Sequence, residues 1–299
     1  MDEKKELILV PCHSIWKSSI QPSDGRVNFG QSPEYWHLAA FQYEGNDHLA
    51  FIKHGLAALK LLLKKRHRAT VIFSGSQTKK EAGVLSEAQS YYFLCERLIR
   101  NAMRNDNLEI PNFDDELHTL LQEIKEMMVG QNIDVDDLFC GDSITTEEFS
   151  LDSLDNLLYS IYRFEEVTGK FPQRITIIGF AFKMERFISY HAKAIDYPKA
   201  CINYIGIDPK PTNYSQTQLS KYYNDLAEME RKNALSLFLS DWYATKDALF
   251  TKKRSRNPFK RTAPYAQNIL FKSGTRIEDD ERYFEMNIKC KMPWSAPRE

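Results

Sequence analysis

The stretch R-I-T-I-I-G-F-A-F-K-M-E-R-F-I-S-Y-H, residues 174–191, decides how the chain is read. Its β-branched run at 175–178 is short, the pattern of a parallel strand covered on both faces. Gly179 follows where the backbone must turn sharply. Lys183 and Arg186 then fall three residues apart in the expected first turn of a helix. A helix N-terminus carries partial positive charge and favours acids, so two cations there break a local rule. A bound anion, held by free N–H groups and the two basic side chains, restores the balance. The plainer alternative is that both side chains point into water.

Working outward, residues 7–11, 69–74 and 201–206 read as further strands, each followed by a turn and a helical pattern. The helix over 48–65 carries the stripe Leu49, Ile52, Leu56, Leu59 and Leu63, with Asn46 or Asp47 as its cap. Ser86, Glu87 and Ala88 open a helix to about residue 101. Thr145 and Glu148 have capping-box spacing before a helix with core positions Leu154, Leu157, Leu158, Ile161 and Phe164, stopped by Gly169. A long helical region covers about 216–248. This alternation predicts an α/β, Rossmann-like fold: a mostly parallel sheet with helices on both faces. Residues 1–250 form one domain with a helical insertion at about 104–138, and 251–299 wrap it as a tail. The aromatic loop of about 16–47 is a lid, a pocket wall or a packed Ω-loop.

With 299 residues, the chain can bury a sizeable core. No run approaches the roughly 20 apolar residues of a membrane span. The charged N-terminus passes straight into a strand and has no signal-peptide pattern. Five scattered cysteines make neither a disulfide framework nor a metal knuckle, so mostly buried thiols in a cytoplasmic setting are expected. A net charge of −1 gives no nucleic-acid signal. The acidic segment 114–137 and the basic segment 252–261 read as solvated surface. The basic one also suits a localisation signal or a phosphate-facing loop.

Open parallel sheets bind ligands beyond the C-terminal ends of their strands. That edge should gather His13, the turn Ser74, Gly75, Ser76 and Gln77, the turn at Glu148, then Phe182, Lys183 and Arg186, and Asp208. The Gly/Ser turn before a helix makes a plausible anion nest. Glu87 or Glu148 suits a general base, with Asp152 and Asn156 orienting substrate or a metal-bound water. The carboxylates with an amide are compatible with a divalent cation such as Mg²⁺, though the sequence requires none. Cys12 and His13 are adjacent on an extended strand and point to opposite faces, which disfavours a dyad. Dinucleotide, P-loop, hydrolase-elbow and zincin motifs are absent.

The ordered motifs F-S-G-S (73–76), S-E-A (86–88), E-F-S-L-D-S-L-D-N (148–156) and F-K-M-E-R-F (182–187) resemble the domain-of-unknown-function 218 family. That family includes the bacterial ElyC, SanA and YdcF-like proteins; the likeness covers about 6–208 and looks like a soluble fungal or eukaryotic-type branch. It implies a Rossmann-like sheet and a polar pocket built from these motifs. Family members are associated with S-adenosylmethionine binding in one bacterial case and with envelope lipid-carrier biology in others. Ser76 stands in place of the family's second glycine, and Lys183 in place of its histidine. The expected function is a small-molecule enzyme for an anionic, phosphorylated or nucleotide-like ligand. The alternatives are a binder of S-adenosylmethionine or a nucleotide without turnover, and an interaction protein using the acidic and basic segments.

Overall fold

A computed structural model describes residues 4–23, 25–265 and 276–295. The chain runs through β1 (Glu6–Pro11), α1 (Asp47–Lys64), β2 (Ala69–Ser74), α2 (Glu87–Arg104), α3 (Asp115–Gly130), α4 (Val135–Phe139), β3 (Ile144–Glu147), α5 (Ser153–Thr168) and β4 (Arg174–Gly179). A 3₁₀ turn (Ala181–Lys183), a π-helical turn (Arg186–His191) and the brief α6 (Ala192–Ala194) lead into β5 (Ile202–Gly206). Then come α7 (Gln216–Glu230), α8 (Ser236–Ser240), α9 (Asp247–Ser255) and α10 (Asp280–Tyr283).

The five strands form one sheet, every pair parallel, in the order β3-β2-β1-β4-β5. This is the α/β Rossmann-like arrangement. The strand order changes side at β1, so the C-terminal ends of β1 and β4 form the switch point at which open parallel sheets place their ligand crevices. Alternate residues of β1 feed opposite cores. Ile8 and Val10 pack with α1 and α2, whereas Leu7 and Leu9 pack with α5. The tail completes the second core: Tyr265, Ile288, Met292 and Trp294 are buried there. The Trp294 indole N–H donates to the Ile195 carbonyl at 2.7 Å. Of the tail, residues 266–275 and 296–299 lie outside the described residues.

Several expectations need correction. Thr145 does not cap a helix, because Ile144–Glu147 is an edge strand laddered to β2. Its four residues, I-T-T-E, are too few and too polar to read as a strand. The cap of α5 is Asp152, which accepts the Asp155 N–H at 2.9 Å. The long helix expected over 216–248 breaks after Ser240, where the Asp241 carboxylate accepts the Thr245 and Lys246 N–H groups. Only Cys12 and Cys95 are buried among the five free cysteines; Cys140 and Cys290 are exposed. The acidic segment is partly paired: Lys53 of α1 meets Asp114 and Glu116, both at 2.6 Å, and Lys60 meets Glu123. In the aromatic loop, Trp16 and Trp36 are fully buried, with their indole N–H groups on Asn28 Oδ1 and the Gly30 carbonyl.

The tail's aromatic anchor yields a test. Trp294→Ala removes a large core side chain and should cost about 3–5 kcal/mol in urea unfolding. A loss below about 1 kcal/mol would show that the tail is not part of the core.

Candidate functional site

The crevice between β1 and β4 is built from aromatic rings and one lysine. His13, just past β1, stacks on Phe180 at 4.8 Å between ring centres and 12° between planes. Phe180 in turn stacks on Phe182 at 5.0 Å. The Lys183 Nζ lies 3.4 Å from His13 Nδ1 and 4.9 Å from the Phe180 ring centre. Burial, with Arg186 next, brings the Lys183 amine down to about 7. Burial and the Lys183 charge hold the His13 imidazole well below its usual range, so it is neutral at pH 7. His13 Nε2 is inaccessible and has no hydrogen-bond partner.

The helix start after β4 is not the open anion cradle that the sequence predicts. The Ala181 N–H donates to Asp208 Oδ1 at 2.7 Å, and the Phe182 N–H reaches the same oxygen at 3.4 Å. An internal carboxylate therefore occupies the positive end of the turn. Gly206 makes this possible: a Cβ there would stand 2.5 Å from Ala181 Cβ. Arg186 belongs to the π-helical turn and sets its Nε 3.1 Å from Glu230 Oε1 of α7, both side chains largely buried. The two atoms are in charge contact without hydrogen-bond alignment.

The turn after β2 is likewise closed to an anion. The Gly75 N–H donates to the Glu147 carbonyl at 3.0 Å and the Ser76 N–H to the Ser150 carbonyl at 3.1 Å. Gly75 is required by close approach: a Cβ would lie 2.8 Å from Glu87 Oε2 and 3.0 Å from Cys12 Cβ. Ser74 joins a buried network. Its Oγ donates to Glu147 Oε2 at 2.8 Å, and the Asn156 amide donates to Ser74 and Ser150. Asn156 thus positions the strand ends. The Gln77 side chain points away, to the Val84 carbonyl. Glu87 is the carboxylate of this turn that is poised for proton transfer. Desolvation raises it to about 7 against the pull of its Thr78 hydroxyl donor. Cys12 is a poor nucleophile, since burial raises its thiol and its Sγ faces the Val10 carbonyl.

Glu148 and Asp152 are committed elsewhere. Glu148 accepts from the Thr146 hydroxyl at 2.8 Å. Asp152 caps α5 and, with Asp155, holds Lys253 of α9 at 3.2 and 2.7 Å. The sequence reading chose Glu148, whereas the buried carboxylate is its neighbour Glu147, facing Ser74 and the Tyr265 hydroxyl. Asp47, expected only as a helix cap, is raised by burial to about 7, and His54, without a role in the sequence, lies 6.2 Å from His13 and bonds the Ile207 carbonyl. The most consequential omission is Arg256. It follows α9, donates to the Leu151 carbonyl at 3.1 Å, and its charge bears on His13, Glu87, Lys183 and Arg186. The basic run 252–261 was the only sequence signal for it. Among the described residues, no group of three or more His, Cys, Asp or Glu side chains forms a metal cluster.

No described helix is long and apolar enough to cross a membrane. No family model matches the chain, and no solved structure matches it. A protein of Saccharomyces cerevisiae, "Uncharacterized protein YOR238W", is 76% identical over 303 residues, covering the whole of both chains. Identity of that degree across the full length shows that the chain belongs to the same family as this yeast protein.

Proposed function

We propose that the crevice above β1 and β4 binds an anionic small molecule, phosphorylated or nucleotide-like, and that the chain acts on it as an enzyme. The observation carrying this reading is the state of Lys183. Among the described residues no carboxylate lies within ion-pair distance of its amine; burial and the charges of Arg186 and Arg256 oppose its protonation, and the more distant Glu230 and Asp47 offset them only in part. Glu230 already answers Arg186. Positive charge withdrawn from water is costly unless an anion neutralises it. The half-buried Phe182 ring offers a face for an aromatic group. Glu87 and Asp47, both raised to about 7, supply carboxyl groups able to give or take a proton near neutral pH. Kinship with the domain-of-unknown-function 218 proteins is part of the proposal, supported by the gathering of the 73–76, 86–88 and 182–187 motifs at one edge. A cytoplasmic setting is supported by the five free cysteines.

One observation favours a binder without turnover, for S-adenosylmethionine or a nucleotide. The N–H groups of Gly75, Ser76, Ala181 and Phe182 are all engaged internally, so these turns offer no oxyanion hole. Product analysis of any ligand that binds separates the two readings.

Two outcomes are expected. Phosphate, AMP or S-adenosylmethionine at ~100 times its Kd should add about 2.7 kcal/mol of stability, read as a rise in Tm. Lys183→Met and Arg256→Gln should each abolish that rise; ligand responses unchanged in both variants would remove the crevice as the site. The second outcome concerns pH. The Glu87 carboxyl is about 7 in the folded chain and about 4.3 unfolded. The folded state therefore keeps a proton that the unfolded state has released, and stability falls as pH rises from about 4.5 through 7. Glu87→Gln should flatten this fall by up to about 3 kcal/mol. Denaturant titrations at pH 5 and pH 8 measure it, and parallel slopes for variant and wild type would refute the assignment.

A further inference from the structure

Among the described residues, several partly buried lysines are held by carboxylates and Lys183 is not. Lys53, Lys246 and Lys253 each hold a carboxylate at 2.6–2.7 Å. Lys183 has instead the neutral His13 at 3.4 Å and two aromatic rings, their centres 4.9 and 5.6 Å from its Nζ. Pairing is what keeps a lysine protonated and inert; an amine set against rings and a neutral imidazole is equipped as a nucleophile. We propose that Lys183 is a covalent catalytic residue whose Nζ condenses with the carbonyl group of an anionic carbonyl compound, such as a 2-oxo acid or a phosphorylated ketone, to form an imine. The inference rests on the anion-binding reading and narrows its ligand to one that also bears a carbonyl.

The step balances. The unprotonated Nζ forms a bond to the carbonyl carbon as the C=O π pair moves to oxygen. One N–H proton transfers to that oxygen, giving a neutral carbinolamine. The C–O bond then breaks, the nitrogen pair forms the C=N bond, and the departing hydroxyl takes the second N–H proton, leaving as water. His13 is placed to carry these protons. The atom that does so is Nδ1, which faces the amine at 3.4 Å and can take a proton from it and return it; Nε2 then bears the ring hydrogen and, being inaccessible, takes no part. Burial, and after it the neighbouring Arg186, bring the amine down to about 7. About half of it is then unprotonated at pH 7, against roughly one part in a few thousand for an ordinary lysine.

Reductive trapping tests this on the full-length chain. The protein is incubated at pH 7 with pyruvate, and separately with dihydroxyacetone phosphate, in the presence of sodium cyanoborohydride as hydride donor. Peptide mass mapping then locates the secondary-amine adduct. With at least one probe, the adduct should concentrate on Lys183, at least about tenfold above any other lysine. Lys183→Arg should lose that adduct and keep background labelling elsewhere. Adducts spread evenly over exposed lysines, or none at Lys183 with either probe, overturn the proposal. Because arginine retains the charge, the same variant separates the two readings. Stabilisation of both wild type and Lys183→Arg by phosphate, without trapping, leaves the anion site standing and the imine refuted. Stabilisation of neither refutes the anion reading itself.

Discussion

An ammonium group removed from water must find a carboxylate or give up its proton. Two lysines at one edge of this sheet meet that constraint in opposite ways. Lys253 lies between Asp152 and Asp155, whose charges hold its amine above the usual range despite burial. Lys183 has no such partner and drifts down to about 7. The first arrangement anchors the tail to the start of α5 and thereby delivers Arg256 to the crevice. The second leaves an amine without a carboxylate, within reach of that arginine's charge. Removing one carboxylate from Lys253 would leave two like problems where the fold tolerates one, and the position of Arg256 depends on avoiding that.

The strand–helix alternation was legible because parallel strands are short, apolar and bounded by turn residues. The stripe of α1 and the αL stop at Gly169 of α5 followed from simple periodicity and conformational rules. The strand β3 was not legible, since its four residues owe their extended state to pairing with β2 and to no preference of their own. For the same reason the buried carboxylate was misplaced by one residue, from Glu147 to Glu148. Alternation along an unrecognised strand cannot be used to choose between neighbours.

The site was legible in part. His13, Phe182 and Lys183 meet where the topology says they should. The anion cradle failed for a physical reason. Backbone donors at the ends of β2 and β4 look free in one dimension, yet Glu147, Ser150 and Asp208 arrive from elsewhere to satisfy them. The turn's positive end and the Arg186 charge are likewise answered by residues remote in sequence, Asp208 and Glu230, while Lys183 is left without a carboxylate. Such partners leave no local signature. Arg256 is the extreme case, a surface-looking member of a basic run that the fold carries 105 residues back to Leu151.

The contacts that bring the tail onto the domain are all of long reach. Lys253 meets Asp155 across 98 residues, Trp294 meets Ile195 across 99 and Tyr265 meets Glu147 across 118. During synthesis all five strands and α5 therefore exist well before the tail residues that complete the second core. A nascent chain halted after β5 has its strand order and α5 but lacks the tail residues of the second core and Arg256. Closure is slow relative to local helix formation, because each of these loops must be drawn in before its contact is gained. In that interval the second core is unfinished and its apolar residues are open to aggregation, and the docking of Trp294 helps to end it.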